Sequence, residues 1–301
     1  MPKSMTASKQ SLLFVINPIS GDRNKDSLID ELKIQSGENG FSYEIFRTTG
    51  NNDTEKLQEI LSKKHFDKVV AVGGDGTCNL VARQLINSSI AMGIIPLGSA
   101  NGLASELTLP TNLYEAFQTV INGHKKSIDV LKINQDHLSL HLSDIGLNAK
   151  VVERFGKDNV RGFWGYAKHF FSELKTAKPV KFKLISEDKI IYRKAHMAVI
   201  ANASSYGTGA IINPQGKIDD GMFEVIFVRP YSFWHLAKMI IPFYTRKIHT
   251  LDYVNTISCT EAVIQTPKMQ VIQVDGEVIG RMDKISIECL PSCLQVLVQA
   301  M

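Results

Sequence analysis

The feature that most constrains this chain is the stretch VVAVGGDGTCNLVARQLI at residues 69–86. Apolar residues typical of a buried strand run directly into Gly73-Gly74-Asp75-Gly76-Thr77, and an amphipathic segment follows. A strand, a glycine turn and a helix start together predict an anion site, because turn amides and a helix N-terminus point at bound oxygens. Glycine also lets the backbone approach phosphate closely. A tight turn with a capping aspartate is the alternative, and these five residues alone leave both interpretations open.

The glycine turn does not match the common nucleotide-binding motifs. It contains neither the G-x-x-x-x-G-K-[ST] of a Walker A loop nor G-x-G-x-x-G. Because the turn has no lysine to offset phosphate charge, we expect a metal ion to supply the positive charge. Asp75 is then predicted to be a carboxylate of the metal network or a general base.

The first part of the chain alternates between strand and helix patterns. Strands are predicted over SLLFVI (11–16), FSYEIF (41–46), KVVAV (68–72) and MGIIP (92–96), with helical spacing between them. This alternation predicts a parallel sheet with helices on both faces. Polar loops that contain glycine close the other three strands, at 17–21, 48–50 and 96–102. In a parallel sheet these loops lie at the carboxyl edge, where ligands bind.

The pattern changes after about residue 126. Short strands separated by turn signals, such as Asn134-Gln135-Asp136 and Glu187-Asp188, predict an antiparallel sandwich or barrel. We therefore expect an N-terminal α/β domain at 1–126 and a β-rich domain at 127–301. Helical segments at 161–176 and 232–246 interrupt the strands, and Pro242 is expected to kink or end the second.

Composition excludes several classes of function. The net charge is +4, and no run of five like charges occurs, which favours a solvated surface over a nucleic-acid partner. The four cysteines lack zinc-site spacing and suit free thiols in a reducing cytosol. No stretch approaches 18 consecutive apolar residues, so we expect a cytoplasmic protein without a spanning helix.

An ordered set of motifs identifies a resemblance to a known family. NPISG, GGDGTCN, GIIPLGSANGLA, SIDV, KIDDGMFEV and a late DGE resemble the diacylglycerol kinase-type lipid kinases, which include bacterial lipid kinases and sphingosine kinases. GGDGT alone is shared with NAD kinases, but the ordered set covers nearly the whole chain. The resemblance implies that residues 1–126 form an α/β nucleotide-binding kinase domain, that residues 127–301 form a β-rich lipid-substrate domain, and that a cleft lies between them. It also implies transfer of the ATP γ-phosphoryl group, with Mg²⁺, to a lipid hydroxyl, most simply that of diacylglycerol. The expected partners are a membrane lipid and transient contact with a membrane surface, with a homodimer as an open question.

The resemblance also implies roles for individual residues. Nucleotide contacts are expected from Asn17, Pro18, Ser20, Gly21, Thr48, Gly73, Gly74, Asp75, Gly76, Thr77, Asn79 and Ser99. A metal-linked carboxylate network should include Asp75 and Asp129, and a structural Mg²⁺ site should use Asp220 with main-chain oxygens near Lys217 and Met222. The acidic pair Asp275 and Glu277 matches the family's proposed catalytic base. We favour Glu277, with Asp275 orienting it or acting in its place and Asp75 as the rival. The D-G pair by itself equally predicts a hairpin turn.

One loop departs from the family pattern. The family's G-T-x-N-D is replaced by Gly98-Ser99-Ala100-Asn101-Gly102, so the last carboxylate is missing. The sphingosine kinase branch has a similar G-S-G-N-A-L-A, but the position that binds the substrate amine there matches Lys150, which would repel an amine. The lipid therefore stays open, and a non-catalytic nucleotide- or lipid-binding protein is a second hypothesis. Retention of the other carboxylates favours the enzyme.

Overall fold

The computed structural model describes residues 9–20, 25–155, 177–187, 189–205, 211–229, 235, 242 and 245–299. Its contacts divide the chain into two compact units, unit 1 (Met1–Ser127 with Leu294–Met301) and unit 2 (Ile128–Cys293). The predicted helix at 161–176, most of the predicted helix at 232–246, and Gly21 lie outside the described residues. The predicted domain bounds of 1–126 and 127–301 stay a prediction.

Unit 1 is built on a parallel sheet. Its first strands are β1 (Ser11–Ile16), β2 (Ser42–Arg47), β3 (Lys68–Gly73) and β4 (Ala91–Pro96), in the order β4-β3-β1-β2. The helices of this unit are α1 (Lys25–Asn39), α2 (Asp53–Lys63), α3 (Asp75–Leu85), α4 (Gly102–Glu106) and α5 (Leu113–Asn122). Every residue of β3 and β4 is buried, as expected for parallel strands that are covered on both faces. The predicted strands are thus confirmed to within a residue at each end.

The core of unit 1 forms around an aromatic cluster. The ring of Phe14 lies 6.5 Å from that of Phe41 and 5.9 Å from that of Phe117, and all three side chains are buried. Phe117 belongs to α5, whose last turn is capped by Lys68. The Lys68 ammonium donates to the carbonyls of Val120 (3.0 Å) and Ile121 (2.8 Å), and burial lowers its pKa. Lys68 starts β3, so α5 is fixed to the amino end of the sheet, away from the carboxyl-edge loops.

Unit 2 is antiparallel and rich in strands. Its strands are β5 (His124–Ile133), which begins in unit 1, β6 (His137–Ser139), β7 (Leu142–Gly146), β8 (Val180–Ser186), β9 (Lys189–Ala195), β10 (Met197–Ala201), β11 (Phe223–Val228), β12 (Val254–Cys259), β13 (Glu261–Val274) and β14 (Glu277–Val298). Helix α6 (Leu147–Phe155) follows β7, and a 3₁₀ turn at Ile248–Thr250 precedes β12. The strands pair in the order β12-β11-β10-β7-β13-β14, with β8 on β13 and β9 on β8. The predicted antiparallel β-rich part is therefore confirmed. Beyond it, Val296 at the end of β14 pairs with Met92 of β4 within unit 1.

Two local features of the strands and helices bear on the site. The β13–β14 turn has Asp275 at φ 48° and Gly276 at φ 90°, which is the type I′ geometry that D-G predicts. Asp53 does not cap α2, because it is the first helical residue and Asn52 holds the cap position. The Asp53 carboxylate instead accepts hydrogen bonds from the amides of Thr49 (3.0 Å) and Gly50 (2.7 Å).

No helix among the described residues is long and apolar enough to cross a membrane.

Candidate active site

The strand order of unit 1 marks one place at the carboxyl edge of its sheet. From β1 the chain moves to β2 on one side and then to β3 on the other, so the order reverses between β1 and β3. Open α/β sheets bind ligands in the crevice at such a reversal. The loops that border it follow β1 at Asn17 and β3 at Gly73, and a β-carbon added at Gly73 would lie 3.4 Å from the Asn17 β-carbon. Both predicted nucleotide loops therefore meet at the reversal.

Asn17 shapes the first of these loops. Its side-chain oxygen accepts a hydrogen bond from the amide of Ile19 at 3.1 Å, and its carbonyl accepts one from the Ser20 hydroxyl at 2.9 Å. The Asn17 amide donates to the carbonyl of Val72, the residue before Gly73, at 3.1 Å. Pro18 is exposed in the same loop. Asn17 thus connects the ends of β1 and β3, and the expected contacts of Asn17, Pro18 and Ser20 with nucleotide stay predictions.

The glycine loops after β3 and β4 pack backbone against backbone. A β-carbon at Gly98 would lie 2.3 Å from the α-carbon of Gly74 and 2.8 Å from the Asn101 side-chain oxygen. The Gly98 amide donates to the carbonyl of Gly73 (3.1 Å) and to that Asn101 oxygen (2.8 Å). Ser99, predicted to contact nucleotide, is exposed in this loop. Glycine at 74 and 98 is therefore required by close approach, which the sequence motif alone did not explain.

Asp75 joins the same two loops through its carboxylate. It is the first residue of α3, and its two oxygens accept the amides of Gly102 (2.9 Å) and Leu103 (3.1 Å) at the start of α4. Asp75 is half-buried, so these bonds are only partly screened by water. A carboxylate oxygen has two lone pairs. One accepted bond on each oxygen therefore leaves room for a cation, and the donor set fits the hard, oxygen-binding Mg²⁺.

Gly102 stands where the family pattern has a carboxylate. Its backbone amide is one of the two donors to Asp75, and the residue itself is buried. The departure therefore removes an acidic side chain but keeps the main-chain hydrogen bond that positions Asp75.

The remaining predicted nucleotide contacts lie on the same edge or next to it. The Thr48 amide donates to the carbonyl of Ile16 at 2.9 Å, which places Thr48 beside the end of β1. Thr77 is buried in the first turn of α3, with its amide donating to the Gly74 carbonyl at 3.0 Å, whereas Gly76 is exposed and Asn79 is half-buried. The turn and the helix start that were predicted to bind anions are thus both present.

In unit 2, Asp129 holds the loop that was predicted to bind a structural cation. Asp129 is fully buried, and its oxygens accept the amides of Gly221 (2.6 Å) and Ser292 (2.7 Å). Asp220 is exposed and accepts the amide of Met222 at 3.1 Å, while Lys217 begins the loop. Among the described residues, no cluster of three or more His, Cys, Asp or Glu side chains has the arrangement of a metal site. The predicted cation would therefore depend on Asp220 and main-chain oxygens, which suit Mg²⁺ or Ca²⁺.

Asp75 and Asp129 lie in different units. Their expected joint network therefore stays a prediction.

The acidic pair of the β13–β14 hairpin has two different environments. Asp275 is buried and accepts hydrogen bonds from the Ser139 hydroxyl (2.9 Å) and from the amides of Leu140 (2.7 Å) and His141 (3.2 Å). Its Oδ1 also lies 3.0 Å from His141 Nδ1. Burial alone would raise the pKa of Asp275, but His141 and these hydrogen bonds outweigh it and hold the pKa below its usual value. A carboxylate so fully engaged is a poor proton acceptor. Glu277, two residues on, is exposed, so the geometry favours it as the base of the pair.

The sequence did not single out Asp144, which is fully buried in β7. Burial raises its pKa to about 7, although hydrogen bonds from Asn148, Gln273 and the Ala149 backbone oppose the rise. An aspartate inside the otherwise strand-like run HLSDIG was the signal available. Buried carboxyl groups are rare unless they have hydrogen-bond partners, so such a residue merits inspection in any strand.

Comparison with known proteins defines the class of protein to which this fold and site belong. Residues 11–133 match the family model of the diacylglycerol kinase catalytic domain, and residues 143–298 match that of the YegS C-terminal NAD kinase beta sandwich-like domain. The chain therefore belongs to the diacylglycerol kinase-type family of lipid kinases. Its members are phosphotransferases, and the enzyme class expected from the sequence is confirmed.

Individual relatives agree with this assignment. A Staphylococcus saprophyticus "Diacylglycerol kinase" is 27% identical over 89% of this chain and 89% of its own. A Pectobacterium atrosepticum "Probable lipid kinase YegS-like" is 25% identical over 88% of this chain and 90% of its own. The crystal structure of a Bacillus anthracis diacylglycerol kinase superposes with a TM-score of 0.74 at 20% identity, covering 97% of this chain and 98% of that one. At that identity the structural likeness confirms the fold alone.

Proposed function

We propose that this lipid kinase transfers the γ-phosphoryl group of ATP to the hydroxyl of a membrane lipid, most simply diacylglycerol, which would yield phosphatidic acid. The observation that carries the proposal is the Asp75 carboxylate, which joins the glycine loops of β3 and β4 beside the strand-order reversal. Phosphoryl transfer depends mainly on positioning and charge neutralisation. This edge of the sheet offers both, through backbone amides and a carboxylate able to hold a cation.

The ATP phosphates would lie at the start of α3. This helix has eleven residues, and the dipole of a helix favours negative charge at its N-terminus. The loop has no lysine, so Mg²⁺ held through Asp75 would neutralise phosphate charge when bound. Asn17, Ser20 and Ser99 would position the nucleotide from the neighbouring loops, and Asp75 holds the end of the loop after β4 against the start of α3.

The proton of the lipid hydroxyl would go to Glu277. A hydroxyl has a pKa far above neutral, so a carboxylate must accept its proton as the oxygen attacks phosphorus. Glu277 is exposed, whereas Asp275 already accepts three hydrogen bonds, from Ser139, Leu140 and His141. In this arrangement Asp275 fixes the turn and Glu277 accepts the proton.

The lipid acceptor is the most open part of the proposal. A sphingoid base is disfavoured because Lys150, a half-buried cation on α6, occupies the position matched to amine recognition. A non-catalytic homologue is disfavoured because Asp75 is held by backbone hydrogen bonds from Leu103 and from Gly102 itself, the position of the change. Contact with the lipid would require transient binding to a membrane surface, and a homodimer is compatible with this proposal.

A substrate panel tests the reaction. Wild-type protein is incubated with γ-labelled ATP, Mg²⁺ and vesicles that contain diacylglycerol, monoacylglycerol, ceramide or a sphingoid base, with NAD in a separate reaction. We expect label in phosphatidic acid. Label in NAD alone, or in no product, would refute the proposed function.

A variant pair tests the base. Glu277→Gln should lower turnover by about 10²–10⁴-fold, the usual range for loss of a general base, while ATP affinity stays close to normal. Glu288→Gln is the matched control, because Glu288 is also exposed on β14 but lies outside the site. Normal turnover by Glu277→Gln would mean that Asp75 or water, rather than Glu277, accepts the proton.

A further inference from the structure

The hairpin that carries Glu277 is held from two sides by buried polar groups. On one side, Ser139, Leu140 and His141 bind the Asp275 carboxylate. On the other side, the Gly276 amide donates to the side-chain oxygen of Gln273 at 2.6 Å. The hydrogen bonds to Asp275 are accounted for by its role in fixing the turn. The hydrogen bond from Gly276 to Gln273 has no assigned role.

Gln273 is oriented by Asp144. The two residues face each other on the neighbouring strands β13 and β7, and both side chains are buried. The Gln273 amide nitrogen donates to Asp144 Oδ2 at 2.5 Å, and the side-chain nitrogen of Asn148 donates to the same oxygen. With its nitrogen bound to Asp144, the Gln273 side chain presents its oxygen to Gly276. If Asp144 no longer accepted this hydrogen bond, nothing in this set of bonds would prevent the side-chain amide of Gln273 from rotating by about half a turn. Its NH₂ group would then face the Gly276 N–H, which is also a donor.

We propose that Asp144, acting through Gln273, is a positioning residue that fixes the Asp275-Gly276 turn and thereby sets the location of Glu277 for catalysis. This proposal rests on the proposed function, because Glu277 matters only if the chain phosphorylates a hydroxyl. Asp144 itself touches neither substrate nor nucleotide in this account. It acts through the side chain of Gln273 and the backbone amide of Gly276.

The chemistry of Asp144 predicts which substitutions are tolerated. One oxygen accepts both donors, and a neutral carboxamide oxygen also has two lone pairs. Burial raises the pKa of Asp144 to about 7, so its neutral form is well populated near neutral pH. Asp144→Asn should therefore preserve the turn, whereas Asp144→Leu, of similar volume, has no acceptor and should release Gln273.

The test compares Asp144→Leu with Asp144→Asn in the full chain. Loss of positioning should reduce kcat by about 10- to 100-fold in Asp144→Leu, since a displacement of about 1 Å costs roughly 10²-fold. The KM for ATP should change less than about twofold, because the nucleotide loops belong to unit 1. Asp144→Asn should retain kcat to within about threefold. The value of kcat is expressed per folded protein, quantified by the amplitude of the thermal unfolding transition, because a merely structural role would lower the amount of folded protein and leave kcat per folded molecule unchanged.

Amide exchange at Gly276, measured by NMR, is a readout that does not depend on activity. Exchange should be faster in Asp144→Leu than in wild type and unchanged in Asp144→Asn. If Asp144→Leu turns over normally, or Asp144→Asn loses as much activity as Asp144→Leu, the positioning role is overturned. If Asp144→Leu does not fold, Gln273→Met makes the same comparison, because it removes the link between Asp144 and Gly276 while leaving Asn148 bound to Asp144. If wild type phosphorylates no lipid, the proposed function fails, and the exchange data alone decide whether Asp144 holds the turn.

Discussion

Replacement of Gly98 by alanine should damage the site through geometry alone. The added β-carbon would lie 2.3 Å from the α-carbon and 2.9 Å from the nitrogen of Gly74, well inside normal contact distances. Both are backbone atoms, so no side-chain rotation relieves the clash, and the loops after β3 and β4 must separate. Overpacking in a close-packed region usually costs about 1–3 kcal/mol, and we expect the upper end here. At about 2–4 °C per kcal/mol for a domain of this size, Tm should fall by roughly 6–12 °C.

The same separation should also impair catalysis. It would pull the Gly102 and Leu103 amides away from Asp75, and a displacement of about 1 Å in a catalytic group costs roughly 10²-fold in rate. Calorimetric melting and lipid phosphorylation are measured side by side. Gly37→Ala is the control, because a β-carbon at Gly37 in α1 meets no atom within 4 Å and should raise stability by up to about 1 kcal/mol. A Gly98→Ala protein that melts and turns over like wild type would refute the close-approach argument.

Two further predictions concern unit 2. Because the folded-state pKa of Asp144 is raised from 3.8 to about 7, its neutral form is favoured by folding, and stability should fall as pH rises from about 4 to about 7, then level off. Measured by denaturant titration against Asp144→Asn, the free energy of unfolding should fall by at most about 4 kcal/mol across this pH range. If the free energies of unfolding of the two proteins changed in parallel with pH, this prediction would be wrong. Asp220→Ala should abolish the rise in Tm that Mg²⁺ produces in wild type, and an identical Mg²⁺-induced shift in both proteins would rule out a cation at the 217–222 loop.

The local architecture was predictable because its signals are local. The apolar runs of β1, β3 and β4 and the glycine turn at 73–76 predicted a parallel sheet and a helix start that the structure confirms. The D-G pair at 275–276 likewise predicted the hairpin turn that joins β13 and β14. Each of these elements depends on residues that lie within a few positions of one another.

The partners of the acidic residues were not predictable, because they lie far away in sequence. Asp75 binds amides 27 and 28 residues further along the chain, and Asp275 binds groups about 135 residues before it. Asp129 likewise holds Gly221 and Ser292. Sequence motifs singled out these carboxylates and favoured Glu277 over Asp275 as the base, but they did not indicate that Asp275 is buried and accepts several hydrogen bonds.

The central claim is that Asp75 organises phosphoryl transfer, and the most direct measurement is the single-turnover rate of Asp75→Asn. The substitution keeps the size of the side chain, removes its charge and turns one acceptor into a donor that faces a backbone amide. We expect the rate of diacylglycerol phosphorylation to fall by roughly 10³-fold or more, equivalent to about 4 kcal/mol of barrier. Asp30→Asn, an exposed change on α1, should leave the rate unchanged. A folded Asp75→Asn protein that phosphorylates lipid at nearly the wild-type rate would contradict the account.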